Sequence, residues 1–94
     1  MGTFYMAKFE VGQFVSVKPS SPRAKARTGL IVGLNLDKSG VCRSVRIYIR
    51  TSHVTIGVPP QMLTALDCPM AVKEGDVLIT GRGLKISLKT GYPL

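Results

Sequence analysis

Glycine and proline punctuate this chain so often that it has no room for a long helix. It carries 10 glycines and 6 prolines, and the longest run free of both, residues 41–56, is 16 residues long. Proline removes an amide donor and fixes φ, and glycine loses more backbone entropy on ordering than any other residue, so both interrupt regular structure. The uninterrupted run is rich in β-branched side chains, which favour strands. With 94 residues, 45% of them apolar and 19% charged, the chain is sized for one hydrophobic core. These features specify an all-β fold in a single domain spanning residues 1–94. The longest stretch without Asp, Glu, Lys or Arg, residues 51–66, contains Ser52, His53, Pro59, Pro60 and Gln61 and is not a membrane span.

Alternation of apolar and polar side chains locates the strands. A turn at Val11-Gly12-Gln13 leads into a β-rich segment at 13–18, which ends at Pro19. Residues 19–28 form a basic ten-residue loop, longer than most connections. From Gly29 a second strand sets Leu30, Val32, Leu34 and Leu36 on one face and Ile31, Gly33 and Asn35 on the other. Asp37-Lys38-Ser39-Gly40 has Asp first and Gly last, as a type I turn prefers, and makes a hairpin with residues 41–50. There Val41, Arg43, Val45, Ile47 and Ile49 share a face meant for a core. Cys42, Ser44, Arg46, Tyr48 and Arg50 share the other, left for solvent or a partner. Residues 53–58 turn Val54, Ile56 and Val58 inward, and a single 3₁₀ turn at 60–63 follows Pro59. The last third reads as a small β unit. It has a tight turn at Lys73-Glu74-Gly75-Asp76, a strand at 77–80 and a turn at Gly81-Arg82-Gly83. Its final strand alternates Leu84, Ile86 and Leu88 with Lys85, Ser87 and Lys89. The chain has no internal repeat.

The charge is one-sided. Thirteen Lys and Arg against five Asp and Glu give +8. Residues 1–50 hold nine basic and two acidic side chains, or +7, and residues 51–94 hold four and three, or +1. A localised cationic excess is the electrostatic footprint of a polyanion binder, whereas net charge by itself serves solubility. Cys42 and Cys68 have no metal-ligand spacing, and His53 is the sole histidine, so the chain lacks the soft ligands of a tetrahedral zinc site. Both cysteines are expected to be buried or half-buried free thiols in a reducing compartment. The first nine residues lack the apolar core and cleavage site of a secretory signal, and Met6 stands where a myristoylation signal after Gly2 needs Ser or Thr. A cytoplasmic location without membrane attachment is expected. Met6-Ala7-Lys8 reads as a natural start, which makes residues 1–5 an added leader.

Val11-Gly12-Gln13-Phe14-Val15-Ser16-Val17, a long loop, Gly29-Leu30-Ile31-Val32-Gly33 and a hairpin follow one another. They end in a proline-marked turn before a last strand, Ile56-Gly57-Val58-Pro59-Pro60-Gln61-Met62-Leu63-Thr64-Ala65-Leu66. In order and lengths, residues 9–67 resemble an SH3-like barrel of the KOW and Tudor kind. Residues 68–94 lie outside the resemblance as an added C-terminal β-hairpin. The resemblance implies, by analogy of fold only, a role in binding RNA, DNA, ribosomal proteins or methylated tails. A methyl-lysine cage is not expected, because only Phe14 and Tyr48 of the six aromatics lie in strands of that barrel. Val45-Arg46-Ile47-Tyr48 is also similar to the Val-Gln-Ile-Tyr run of the plasmid-borne dihydrofolate reductases. Arg46 in place of the glutamine, and the much later proline-marked turn, reject that reading.

No constellation carries catalysis. His53 and Cys42 have no spacing that pairs a base with a nucleophile. Glu74 and Asp76 belong to a turn, and Gly81-Arg82-Gly83 opens no helix whose amides would hold a phosphate. No enzyme activity, cofactor or metal is expected. The basic residues are the strongest signal. Lys18, Arg23, Lys25 and Arg27 frame the first loop, and Arg46 and Arg50 flank Tyr48 on one strand face, a pattern suited to phosphate binding and base stacking. Ser21-Pro22-Arg23-Ala24-Lys25 is similar to Ser-Pro-basic segments that enter narrow minor grooves. The expected function is a non-catalytic nucleic-acid-binding module that holds DNA or RNA on a basic loop and strand face. The alternative is a protein-interaction module, a small viral or mobile-element protein. It would dock on a host complex or assemble with copies of itself by strand addition.

Overall fold

The computed structural model describes residues 9–19 and 21–94. The leader expected at residues 1–5, the start at Met6 and Ser20 of the basic loop lie outside the described residues. The chain is all-β. Its strands run β1 (Phe14–Val17), β2 (Arg27–Leu36), β3 (Cys42–Ile49) and β4 (Val54–Val58), then a 3₁₀ turn (Pro60–Met62). After it come β5 (Leu63–Ala65), β6 (Val72–Glu74), β7 (Val77–Ile79) and β8 (Lys85–Ser87). They form two antiparallel sheets, β4-β3-β2-β1-β5 and β6-β7-β8. The larger ladder stays open, with β4 and β5 as its two edges.

The five-stranded sheet closes over one core of Val15, Val17, Ile31, Val45, Ile47, Ile49 and Leu63. Strand alternation predicts most of this set, but two bulges reset it. Between β2 and β3 the pairing steps from Ile31↔Ile47 to Gly33↔Arg46, so Val32 is an extra residue on β2. An extra residue flips the parity of everything beyond it. Leu34 therefore packs on the same core as Ile31, while Leu30 and Val32 face the other side. This corrects the expectation of one apolar face from Leu30 to Leu36. The second bulge lies between Asn35↔Ser44 and Leu36↔Cys42, where Arg43 is the extra residue. Arg43, expected on the core face, is 72% exposed, and Cys42 packs against the core in its place. The turn between these strands forms as its residues predict. The Gly40 amide donates to the Asp37 carbonyl at 3.0 Å, and Gly40 takes the positive φ of 83° that closes a type I turn into a bulged hairpin.

The expected C-terminal hairpin is a three-stranded meander, because residues 72–74 pair as β6 instead of turning. Its apolar face covers the outer face of β2 and β3. Leu30, Val32 and Tyr48 on one side meet Ala71, Leu78 and Ile86 on the other, with Leu78 and Ile86 wholly buried. Each such side chain contributes about 1.5–3 kcal/mol when fully removed from water. The centre of the larger sheet is thus buried on both faces. Gly12 ties the two layers together. Its amide donates to Ile31, its carbonyl accepts from the Ala71 amide at 2.8 Å, and its φ is 97°. A Cβ there would press on the Ala71 carbonyl oxygen, so glycine is required for both space and conformation.

The last residues fold back as a clasp. The Ser87 amide donates to the Tyr92 carbonyl and the Leu94 amide to the Lys85 carbonyl, so the tail covers the free edge of β8. On its other side the tail reaches the larger sheet. Thr55 Oγ1 donates to the Gly91 carbonyl, the Thr55 amide donates to Tyr92 Oη at 3.3 Å, and Arg46 donates to the Thr90 carbonyl at 3.3 Å.

Candidate nucleic-acid interface

The open side of the larger sheet forms a groove of about 270 Å³. Its floor is aliphatic and comes from three strands and the 3₁₀ turn: Val17, Ile49, Ile56, Val58 and Met62. Val17 and Ile49 are buried beneath it, and Ile56, Val58 and Met62 are half-buried and form its accessible part. Lys18, Lys25 and Arg27 form the rim. The register sets these positions. Arg27 opens β2 opposite Val17, Val17 pairs on its other side with Leu63, and the Lys18 amide donates to the Met62 carbonyl at 2.8 Å. The loop between β1 and β2 is braced by its own turn, with the Ala24 amide donating to the Ser21 carbonyl and the Arg23 amide to Ser21 Oγ. This turn leaves Arg23 and Lys25 exposed. Arg27 and Thr28, expected in the loop, belong to β2.

The seven residues selected from sequence do not form one surface. Lys18, Lys25 and Arg27 converge on the groove, and Arg23 lies exposed on the same loop. Arg50 is exposed directly after Ile49, at the end of β3. Arg46 and Tyr48 point to the opposite face of β3. Tyr48, expected as an exposed stacking aromatic, is only 2% exposed. Its ring meets Tyr92 edge-on, with centroids 6.3 Å apart, and its hydroxyl shares a 3.1 Å hydrogen bond with His53 Nδ1. Arg46 lies over Gly33 and spends a guanidinium nitrogen on the tail. The face expected to meet solvent or a partner is covered by the chain's own C-terminal sheet and tail. The tail supplies acceptors for Arg46 and an aromatic for Tyr48.

The charge around the groove is uncompensated. Between Glu10 and Asp37 the sequence has no acidic residue. Among the described residues the ion pairs are Arg43–Asp37 at 2.9 Å and Lys89–Asp76 at 3.7 Å, so Lys18, Arg23, Lys25, Arg27 and Arg50 have no carboxylate partner. The Asp37 carboxyl is held below its usual value of 3.8 by the Val41 amide first, then by the Ser39 amide and the nearby Arg43. It serves the hairpin and lies outside the groove lining. The Cys42 thiol donates to the Ser44 carbonyl, and both cysteines are free; Cys42 is half-buried as expected, but Cys68 is exposed. Among the described residues no three His, Cys, Asp or Glu side chains cluster, and no helix is long and apolar enough to cross a membrane. The aliphatic floor was not among the expected site residues. Its members read as core in sequence, and in the fold Ile56, Val58 and Met62 are only half-buried.

Comparison of the chain with family models, with curated proteins and with solved structures gives no match.

Proposed function

We propose that this protein is a nucleic-acid-binding module that works without catalysis. Its phosphate-binding face is the groove rim of Lys18, Lys25 and Arg27 together with Arg23. The observation that carries this reading is the concentration of four cations on one loop and its flanking strands, with no carboxylate partner beside them. Paired charges would be neutralised within the fold; unpaired ones attract polyanions and release counterions on binding. The five-stranded unit is read as an SH3-like barrel, supported by the order β4-β3-β2-β1-β5 and the 3₁₀ turn ahead of β5. A free, exposed Cys68 thiol suits a reducing, cytoplasmic setting.

Strand addition by a protein partner has less support. The Thr55 amide on the β4 edge already bonds to Tyr92, and the tail occupies the edge of β8. The remaining outer edges, β5 and β6, are three residues long, and edges that short resist pairing. The test is salt dependence. Four phosphate contacts give a log–log slope of roughly −3.6 on duplex or −2.8 on a single strand. Absence of binding at low salt, or an affinity indifferent to salt, would overturn the proposal.

A further inference from the structure

The rim explains affinity for phosphate but leaves the floor unused. A regular duplex presents charged rails to a protein, and its bases are stacked inside. Rails resting on Lys18, Lys25 and Arg27 would span the groove without touching the half-buried Ile56, Val58 or Met62. An unpaired strand differs, because each base offers a flat apolar face between two phosphates. We infer that the groove takes one nucleobase of a single-stranded segment, laid on the aliphatic floor, with the flanking phosphates held by the cationic rim. This rests on the nucleic-acid reading above and specifies its ligand. The groove, at about 270 Å³, lies just below the range of about 300–1,000 Å³ usual for drug-sized ligands, which suits a single ring system. No carboxylate lines it. Among the described residues no Asn, Gln, Ser or Thr lines it either, so little base-edge readout and little dependence on base identity are expected. An acidic peptide with an aliphatic anchor matches the same charges. However, its backbone finds the Thr55 amide of the adjacent β4 edge already bonded to Tyr92 Oη.

The experiment compares four labelled probes by fluorescence anisotropy with the full chain at low salt. They are an oligo-dT strand, an abasic strand of equal length, the corresponding duplex, and a peptide of Asp, Glu and Leu. The oligo-dT strand is expected to bind about tenfold more tightly than the abasic strand of equal charge, and also more tightly than the duplex. Met62→Gln, or independently Val58→Thr, should remove most of that advantage and leave the abasic affinity unchanged. Equal affinity for oligo-dT and abasic strands, or preference for duplex, overturns the base pocket and leaves the nucleic-acid function standing. Failure to bind any of the three nucleic acids, or tighter binding of the peptide, overturns both.

Discussion

Replacing Tyr92 tests whether the C-terminal tail holds the two sheets together and keeps Tyr48 from solvent. The Tyr92 ring packs edge-on against Tyr48 at 6.3 Å and 78°, and its hydroxyl accepts the Thr55 amide proton at 3.3 Å. An aromatic pair of this geometry contributes about 0.5–1.5 kcal/mol beyond its buried area. The hydrogen bond contributes at most about 1 kcal/mol, because the Thr55 amide sits at a sheet edge where water replaces the lost partner. Tyr92 remains 42% exposed, so its apolar burial adds only part of the value of a core aromatic. Tyr92→Ala is therefore expected to cost about 1.5–3 kcal/mol and Tyr92→Phe less than about 1 kcal/mol. For a domain of this size each kcal/mol lowers Tm by about 4–8 °C. Urea unfolding followed by far-UV circular dichroism gives the free energies, and oligonucleotide affinity measured on the same variants gives the functional readout. Nucleic-acid affinity should not fall in either variant, since the tail lies on the face opposite the groove. A loss below about 0.5 kcal/mol for Tyr92→Ala would refute the clasp.

Two further predictions concern the sheet and its first hairpin. A methyl group added at Gly29 would collide with Cγ2 of Ile47, a wholly buried β-branched side chain, so Gly29→Ala should cost about 1–3 kcal/mol in urea unfolding; a neutral outcome would mean that β2 and β3 approach less closely than described. Asp37 has a folded-state pKa below its unfolded one, so its stabilisation is complete at neutral pH. It begins to fade as pH drops through 3.8 and is lost below the folded pKa; a carbon-detected NMR titration should show Asp37 titrating below the ordinary Asp range, and Asp37→Asn should flatten the acid limb of stability.

Much of the fold is legible in residues, and the departures have identifiable causes. Proline and glycine spacing marks β1, the 3₁₀ turn and the 37–40 hairpin turn, because those residues restrict or release φ locally. Alternation places Val45, Ile47 and Ile49 in one core and Tyr48 on the opposite face. It fails at Val32 and Arg43, since a bulge is a property of two paired strands and leaves no mark in either alone. The same limit explains the site. Lys18, Lys25 and Arg27 are visible as a cluster, because sequence proximity brings them to one end of the β1–β2 unit. Arg46 and Tyr48 share a face that the sequence pattern leaves for solvent or a partner. The partner is residues 71–92 of the same chain, a long-range contact that no local pattern encodes. The groove floor is assembled from β1, β3, β4 and the 3₁₀ turn, a long-range arrangement that no local pattern encodes.

If the cationic rim is the binding face, charge must act by position and not by amount. Two triple variants of equal net charge test it. One carries Lys18→Ala, Lys25→Ala and Arg27→Ala at the groove rim. The other carries Lys73→Ala, Arg82→Ala and Lys85→Ala, three exposed cations of the C-terminal sheet without ion-pair partners among the described residues. Both lower the formal charge from +8 to +5 (8 − 3). Binding of a labelled single strand is measured for each across a salt series. The rim variant should lose most of its affinity and flatten the salt slope by about 2, while the C-terminal variant keeps a slope close to that of the unaltered chain. Equal losses in the two variants would contradict the claim and reduce the positive charge to a solubility feature.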